Sequence, residues 1–97
     1  MKVAIFGRFY NKTTSASVET LFNYLVKKDA DAYIETEFYN VIKDESHHIK
    51  DFESFKVFNN LDKSFDLLVS VGGDGTILRA ITFVKDLGIP IIGVNTG

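Results

Sequence analysis

The 97-residue sequence contains no cysteine. It can therefore form no disulfide framework, thiolate nucleophile or cysteine-based zinc site, which is compatible with a reducing cytoplasm. It also lacks a surplus of positive charge, since eleven Lys and Arg stand against thirteen Asp and Glu, for a net charge of −2. The basic residues are scattered along the chain, so we expect neither nucleic acid nor a membrane among its partners.

Long apolar runs are absent as well. The N-terminal run, Lys2–Gly7, is too short for a signal peptide or a membrane span, and polar residues follow it. No cluster of proline and glycine marks a domain boundary. A composition of 45% hydrophobic and 25% charged residues is ordinary for a soluble globular protein. We therefore expect one cytoplasmic domain over residues 1–97.

Short runs of β-branched and aromatic residues predict five strands. Leu67–Val71 and Ile89–Val94 are almost continuously apolar, a pattern typical of parallel strands that are covered on both faces. The predicted strands are Lys2–Gly7, Ala32–Glu35, Phe55–Phe58, Leu67–Val71 and Ile89–Val94.

Amphipathic helices are predicted between these strands. The third is expected to end at Gly88, because glycine commonly follows a helix C-terminus and Pro90 prevents continuation. The alternation of strands and helices implies an α/β fold, a Rossmann-like three-layer parallel sheet with right-handed crossovers. The apolar faces are Val18, Leu21, Phe22 and Leu25 in the first helix, with Thr13, Thr14, Ser15 and Ser17 as candidate N-caps; Phe38, Val41 and Ile42 in the second; and Ile77, Leu78, Ile81, Val84 and Leu87 in the third.

The sequence stops at Gly97, directly after the last predicted strand. No helix is left to cover Ile91, Ile92 or Val94, and an uncovered strand at the edge of a sheet is prone to pair with another chain. We therefore expect this chain to be the N-terminal part of a longer protein, and the isolated piece to self-associate.

A glycine-rich turn follows the strand Leu67–Val71. Gly72, Gly73 and Gly75 can adopt positive φ, and without side chains they let a ligand approach the backbone N–H groups that open the next helix. Phosphate suits that geometry. The two common phosphate motifs, G-x-x-x-x-G-K-[ST] and G-x-G-x-x-G, are absent, which excludes a P-loop protein and an ordinary dinucleotide dehydrogenase.

Asp74 lies among these glycines and would repel a bare phosphate. Its carboxylate is useful there if it accepts a proton from a hydroxyl that attacks phosphorus, or if it holds Mg²⁺. Asp and Thr are also favoured helix N-caps, so spacing alone leaves a purely structural interpretation open. Three glycines within four residues favour function, because capping a helix needs only one.

The stretches "VGGDGTILRA" and "IPIIGVNTG" resemble the N-terminal lobe of the NAD kinase family. The resemblance implies phosphorylation of NAD at its adenosine ribose 2′-hydroxyl, with ATP or polyphosphate as the phosphoryl donor. It also implies that a divalent metal ion assists, which is Mg²⁺ when ATP is the donor. It implies that Asp74 is the proton acceptor. It also implies a C-terminal β-rich domain, absent here, and assembly into homo-oligomers, so the isolated piece should be inactive. The implied nucleotide-binding residues are Gly72, Gly73, Asp74, Gly75, Thr76, Arg79 and Asn95.

Structural interpretations of several residues stay open beside this one. Arg79 suits a solvent-facing helix position and Asn95 a turn. Gly7, Arg8 and Lys12 could reach donor phosphates, although ordinary surface charge also explains the last two. Adjacent histidines on a helix diverge by roughly 100°, so we predict no metal site at residues 47 and 48.

Three other classes of protein compete with NAD kinase. Lipid kinases of the diacylglycerol or sphingosine type and phosphofructokinases share a GGDG turn, but the Asn95–Gly97 turn and Thr76 depart from their usual patterns. A non-catalytic α/β module, such as a receiver domain, needs acidic residues after its first strand. This sequence has none there.

Overall fold

The computed structural model describes residues 1–10, 14–44, 49 and 52–96. Four earlier assignments lie outside these residues: the candidate cap Thr13, the candidate phosphate ligand Lys12, the histidine pair, and Gly97. The elements in chain order are β1 Lys2–Gly7, α1 Ser15–Lys27, β2 Asp31–Glu35, α2 Thr36–Ile42, a short 3₁₀ helix Phe52–Ser54, β3 Lys56–Phe58, β4 Leu67–Gly72, α3 Asp74–Val84 and β5 Ile91–Asn95.

The five strands form one parallel sheet in the order β3-β2-β1-β4-β5. The predicted strands and their parallel pairing are thus confirmed, with bounds that differ by at most two residues. In the register, Gly7 of β1 lies opposite Val71 of β4, and Gly72 of β4 lies opposite Asn95 of β5. The carboxyl ends of β1, β4 and β5 therefore meet at one edge.

Helices cover both faces of the sheet, as the alternating side chains of β1 show. Val3 and Ile5 pack in one core cluster with the apolar faces of α1 and α2. Ala4 and Phe6 pack in a second cluster with α3. Successive strand residues point to opposite faces, so α1 and α2 form one outer layer and α3 the other. The predicted three-layer α/β fold is confirmed.

The first helix matches the predicted apolar face. Val18, Phe22 and Leu25 are buried and Leu21 is half-buried. The N-cap is Thr14, but its side chain makes no capping hydrogen bond. Its hydroxyl instead donates to the Phe9 carbonyl oxygen at 3.2 Å, which ties the chain leaving β1 to the start of α1.

The predicted faces of the other two helices are partly wrong. Val41 of α2 is exposed while Phe38 and Ile42 are buried. In α3 the buried residues are Thr76, Ala80 and Val84, whereas Leu78 and Ile81 are exposed. Small side chains at four-residue spacing let α3 lie close to the sheet, so its larger apolar residues point outward.

Helix α3 also ends earlier than predicted. Its last residue is Val84, and Lys85 has a φ of 51°, a left-handed conformation that stops the helix. Gly88, where the end was predicted, has a φ of 76° and belongs to the turn that leads to β5.

The two edges of the sheet differ in charge. Edge strand β3 has three residues and carries Lys56, whose Nζ lies 3.4 Å from Asp31 Oδ1 of β2. Nearby Asp31 raises the pKa of Lys56. Edge strand β5 carries no charged residue, and its Ile92 is 52% exposed. The expected uncovered strand is confirmed only for Ile92, since Ile91 and Val94 are half-buried against the two core clusters. Self-association through the β5 edge remains a prediction. Among the helices that the structure describes, none is long and apolar enough to cross a membrane.

Candidate active site

The strand order creates a crevice between β1 and β4. After β1 the chain turns to α1 on one face of the sheet, and after the adjacent β4 it turns to α3 on the opposite face. The two connections diverge, which opens a gap beyond the carboxyl ends of these strands. Ligands of open parallel sheets bind at such a switch point. The glycine turn, residues 72–75, lies at this gap.

Gly72 has a conformation that the turn requires. Its φ is 149°, within the range that favours glycine. A Cβ atom at this position would lie 2.5 Å from Thr76 Oγ1, a distance that real contacts do not allow. Thr76 itself is buried in the first turn of α3. The end of β4 and the start of α3 therefore pack closely, which is possible only because Gly72 has no side chain.

Gly73 and Gly75 have no such requirement. A Cβ added at either position would meet no atom within 4 Å. Gly73 has φ −104° and ψ −162°, which any residue adopts, and glycine at position 75 weakens a helix relative to alanine. Packing within the described chain therefore does not explain these two glycines. Their effect is to leave open space over the N-terminus of α3.

Asp74 is the first residue of α3 and is exposed. The helix N-cap is Gly73, and no side chain makes a capping hydrogen bond. The interpretation of Asp74 or Thr76 as the N-cap is therefore wrong. Within the described residues the Asp74 carboxylate has neither a hydrogen-bond donor nor an ion-pair partner. Its acceptor oxygens are therefore available at the exposed start of α3.

Asn95 lies at the same edge as the glycine turn. It pairs with Gly72 in the β4–β5 register, and the next backbone N–H, of Thr96, donates to the Gly72 carbonyl oxygen at 3.1 Å. The structure therefore brings the predicted residues 72–76 together with Asn95. Arg79 is exposed and lies farther along α3, where it lines a neighbouring cleft with Gly7 and Arg8.

Comparison with known sequences agrees with this geometry. The sequence model described as the ATP-NAD kinase N-terminal domain matches residues 3–97. The chain belongs to this family. It is 42% identical over its whole length to an NAD kinase of Flavobacterium psychrophilum, and 38% identical to an NAD kinase of Flavobacterium johnsoniae. An NAD kinase of Bacteroides fragilis is 42% identical over 98 aligned residues. The chain spans 33% of the length of each of these curated relatives.

Membership of the ATP-NAD kinase family confirms the resemblance drawn from the GGDGT turn and the Asn95 strand end. The lipid kinase, phosphofructokinase and non-catalytic alternatives are not favoured by any of these matches.

Among the described residues, no three His, Cys, Asp or Glu side chains lie together in a metal-binding group.

Two residues of the neighbouring cleft were not singled out from the sequence. Phe9 and Glu37 line the cleft that holds Arg8 and Arg79. Phe9 follows β1 immediately, so its position beyond the carboxyl end of a strand was an available signal. For Glu37 the sequence carried no such signal, because its proximity to the cleft depends on how α2 packs beside β1.

A larger hollow of about 400 Å³ lies at the opposite end of α3, lined by Phe83, Lys85 and Asp86 among others.

Proposed function

We propose that this chain is the N-terminal lobe of an NAD kinase that phosphorylates NAD at the 2′-hydroxyl of its adenosine ribose, with ATP as donor, to give NADP. The observation that carries the proposal is Asp74. An exposed carboxylate without a partner in the described chain stands at the start of α3, beside two glycines that packing does not require. Family membership supports the same activity.

In the proposed reaction, the Asp74 carboxylate accepts the proton of the 2′-hydroxyl. The hydroxyl oxygen then forms a bond to the γ-phosphorus of ATP. The bond from that phosphorus to the bridging oxygen of the β-phosphate breaks, and ADP leaves with the electron pair. ATP enters as its Mg²⁺ complex, which offsets charge on the phosphates as they approach the carboxylate. A positioned base of this kind contributes roughly 10²–10⁴-fold in rate.

The neighbouring residues have distinct roles in this proposal. Gly73 and Gly75 leave room for the dinucleotide to reach the backbone N–H groups of α3. Gly72 and Thr76 hold the turn through their close contact. Asn95 borders the site from β5, and Arg79 binds nucleotide phosphate.

The whole enzyme is proposed to include more than this lobe. Because the chain spans 33% of its relatives' length, we propose that a C-terminal β-rich domain completes the NAD pocket and contributes to a homo-oligomer. The 97 residues alone are then inactive. We further propose a cytoplasmic enzyme whose partners are its small-molecule substrates.

The test uses protein expressed from the whole gene. NAD is incubated with ATP and Mg²⁺, and the product is detected with a dehydrogenase that accepts only NADP. Asp74→Asn should lower the rate by about 10²–10⁴-fold. Asp86→Asn, an exposed aspartate beyond the other end of α3, is the matched control and should retain activity.

Two outcomes would contradict the proposal. If wild-type protein forms no NADP with ATP or polyphosphate, the activity is wrong. If NADP forms and Asp74→Asn is as active as the control, the activity stands but Asp74 is not the base.

A further inference from the structure

One face of β5 is only partly covered by the residues that the structure describes. Ile91 packs against the core cluster of α3, and a Cβ at Gly93 would lie 2.7 Å from Ile77 Cδ1 of α3. Because successive strand residues point to opposite faces, Ile92 and Val94 point toward the face of α1. Val94 is half-buried there and Ile92 is exposed. Helix α1 thus covers β1 and β4 on this face and leaves β5 largely open.

An apolar groove lies where this face of β5 meets α1. Val94 forms one wall and α1 forms the other. Leu21 and Tyr24 supply the apolar surface of the α1 wall, and Tyr24 is 56% exposed. No charged side chain is among the described residues that line the groove. We call this space the α1–β5 groove, and its lining suits an apolar occupant.

The architecture of the sheet calls for a further helix at this position. Parallel strands are normally buried on both faces by helices, whereas β5 has a helix, α3, on one face only. The groove has a volume of about 450 Å³, which is too large for one side chain to fill. Ala16 and Thr20 line it from α1 and are four residues apart, so they lie on one side of that helix. Their small side chains allow a neighbouring helix to approach closely.

The whole protein has enough chain to supply this helix. The matched family model is an N-terminal domain, and the chain spans 33% of the length of its curated relatives, so about two-thirds of each relative lies outside the match. A second copy of the lobe is a poorer occupant. In a two-fold dimer the same surface meets itself, and two grooves that face each other leave a cavity.

We propose that a segment of the chain after Gly97 folds back as an amphipathic helix and places its apolar face in the α1–β5 groove. This inference rests on the part of the proposed function that gives the enzyme a further domain, and it does not depend on the reaction. The helix covers Ile92 and Val94 and lies beside α1. It makes the N-terminal lobe complete only in the whole protein.

Photo-cross-linking of protein from the whole gene tests the occupant. p-Benzoylphenylalanine replaces Tyr24, and after irradiation the products are separated on a denaturing gel and their peptides are identified by mass spectrometry. We expect an internal cross-link at the monomer mass. It should join residue 24 to a peptide beyond residue 97 whose apolar residues recur at three- and four-residue spacing. The same group at Asn23 is the control, because Asn23 is exposed and lies about 100° away around the axis of α1.

A charge in the groove should release the helix. Tyr24→Asp in the whole protein should speed limited proteolysis within the cross-linked segment at least about tenfold, because the carboxylate would otherwise be buried among apolar groups. Asn23→Asp adds the same charge to the same helix outside the groove and should leave the cleavage rate unchanged. The lobe itself should stay folded in both variants, since both side chains are exposed in it.

Three outcomes would overturn the inference. A product of twice the monomer mass would assign the groove to a second copy. Absence of any cross-link from position 24 to residues beyond 97 would leave the groove without the helix. Equal products from positions 23 and 24 would show contact without preference for the groove. NADP formation is measured on the same wild-type preparation: an internal cross-link without NADP supports the docked helix and contradicts the kinase, and NADP without the cross-link does the reverse.

Discussion

Gly72→Ala should destabilise the 97-residue chain strongly, for two reasons that the structure separates. The φ of 149° is strained for any residue with a Cβ, at a cost of about 1–3 kcal/mol. The new Cβ would also lie 2.5 Å from Thr76 Oγ1 and 3.0 Å from Thr76 Cβ, an overpacking that costs about 1–3 kcal/mol more. Together these predict a loss of about 2–6 kcal/mol. Small domains have about 5–15 kcal/mol of unfolding free energy, so much of the stability should be lost.

Urea unfolding measures the effect. With a slope of about 1–3 kcal/mol per molar urea, the Gly72→Ala midpoint should fall by about 0.7 M or more. Gly75→Ala is the matched control, because a Cβ there meets nothing within 4 Å and alanine favours the helix. Its midpoint should rise slightly or stay unchanged. In the whole enzyme, however, Gly75→Ala should weaken NAD binding, since the new methyl group occupies the space proposed for the dinucleotide.

A double substitution tests the cause. Thr76→Ala removes Oγ1, the atom nearest the new Cβ, so Gly72→Ala/Thr76→Ala should be less destabilised than the sum of the single changes by about 1 kcal/mol or more. Additive effects would refute the contact as the cause and leave backbone strain alone. Equal loss in Gly72→Ala and Gly75→Ala would refute the distinction between the two glycines.

Two further predictions concern positions away from the site. Ser70 is fully buried on β4 and its hydroxyl has no hydrogen-bond partner among the described residues, so Ser70→Ala should leave stability unchanged or raise it by up to about 1–2 kcal/mol. A clear fall of the urea midpoint would show that the hydroxyl is satisfied. Ile92→Lys on the open edge of β5 should shift the isolated chain toward monomer in analytical ultracentrifugation. Ile81→Lys on α3 is the control, because Ile81 is 51% exposed, close to the 52% of Ile92, and lies away from the edge. An equal shift toward monomer in both variants would count against pairing through β5.

The sequence determined much of this fold by local chemistry. Short apolar runs of β-branched residues predicted all five strands, and apolar spacing in the first helix predicted the buried Val18, Phe22 and Leu25. The glycine turn and its aspartate were visible as a candidate site because they are contiguous in the sequence. Periods of two and 3.6 residues act over a few neighbours, so they can be read without knowing what packs against them.

Only the tertiary structure decided which distant residues meet. The sequence did not show that β1 lies beside β4, and that adjacency places Arg8 and Arg79 on one cleft. It also did not show the buried face of α3, because the sheet accepts Ala80 and Thr76 at close approach and leaves Leu78 outside. These outcomes depend on contacts between segments that are far apart in the chain, and no local pattern encodes them.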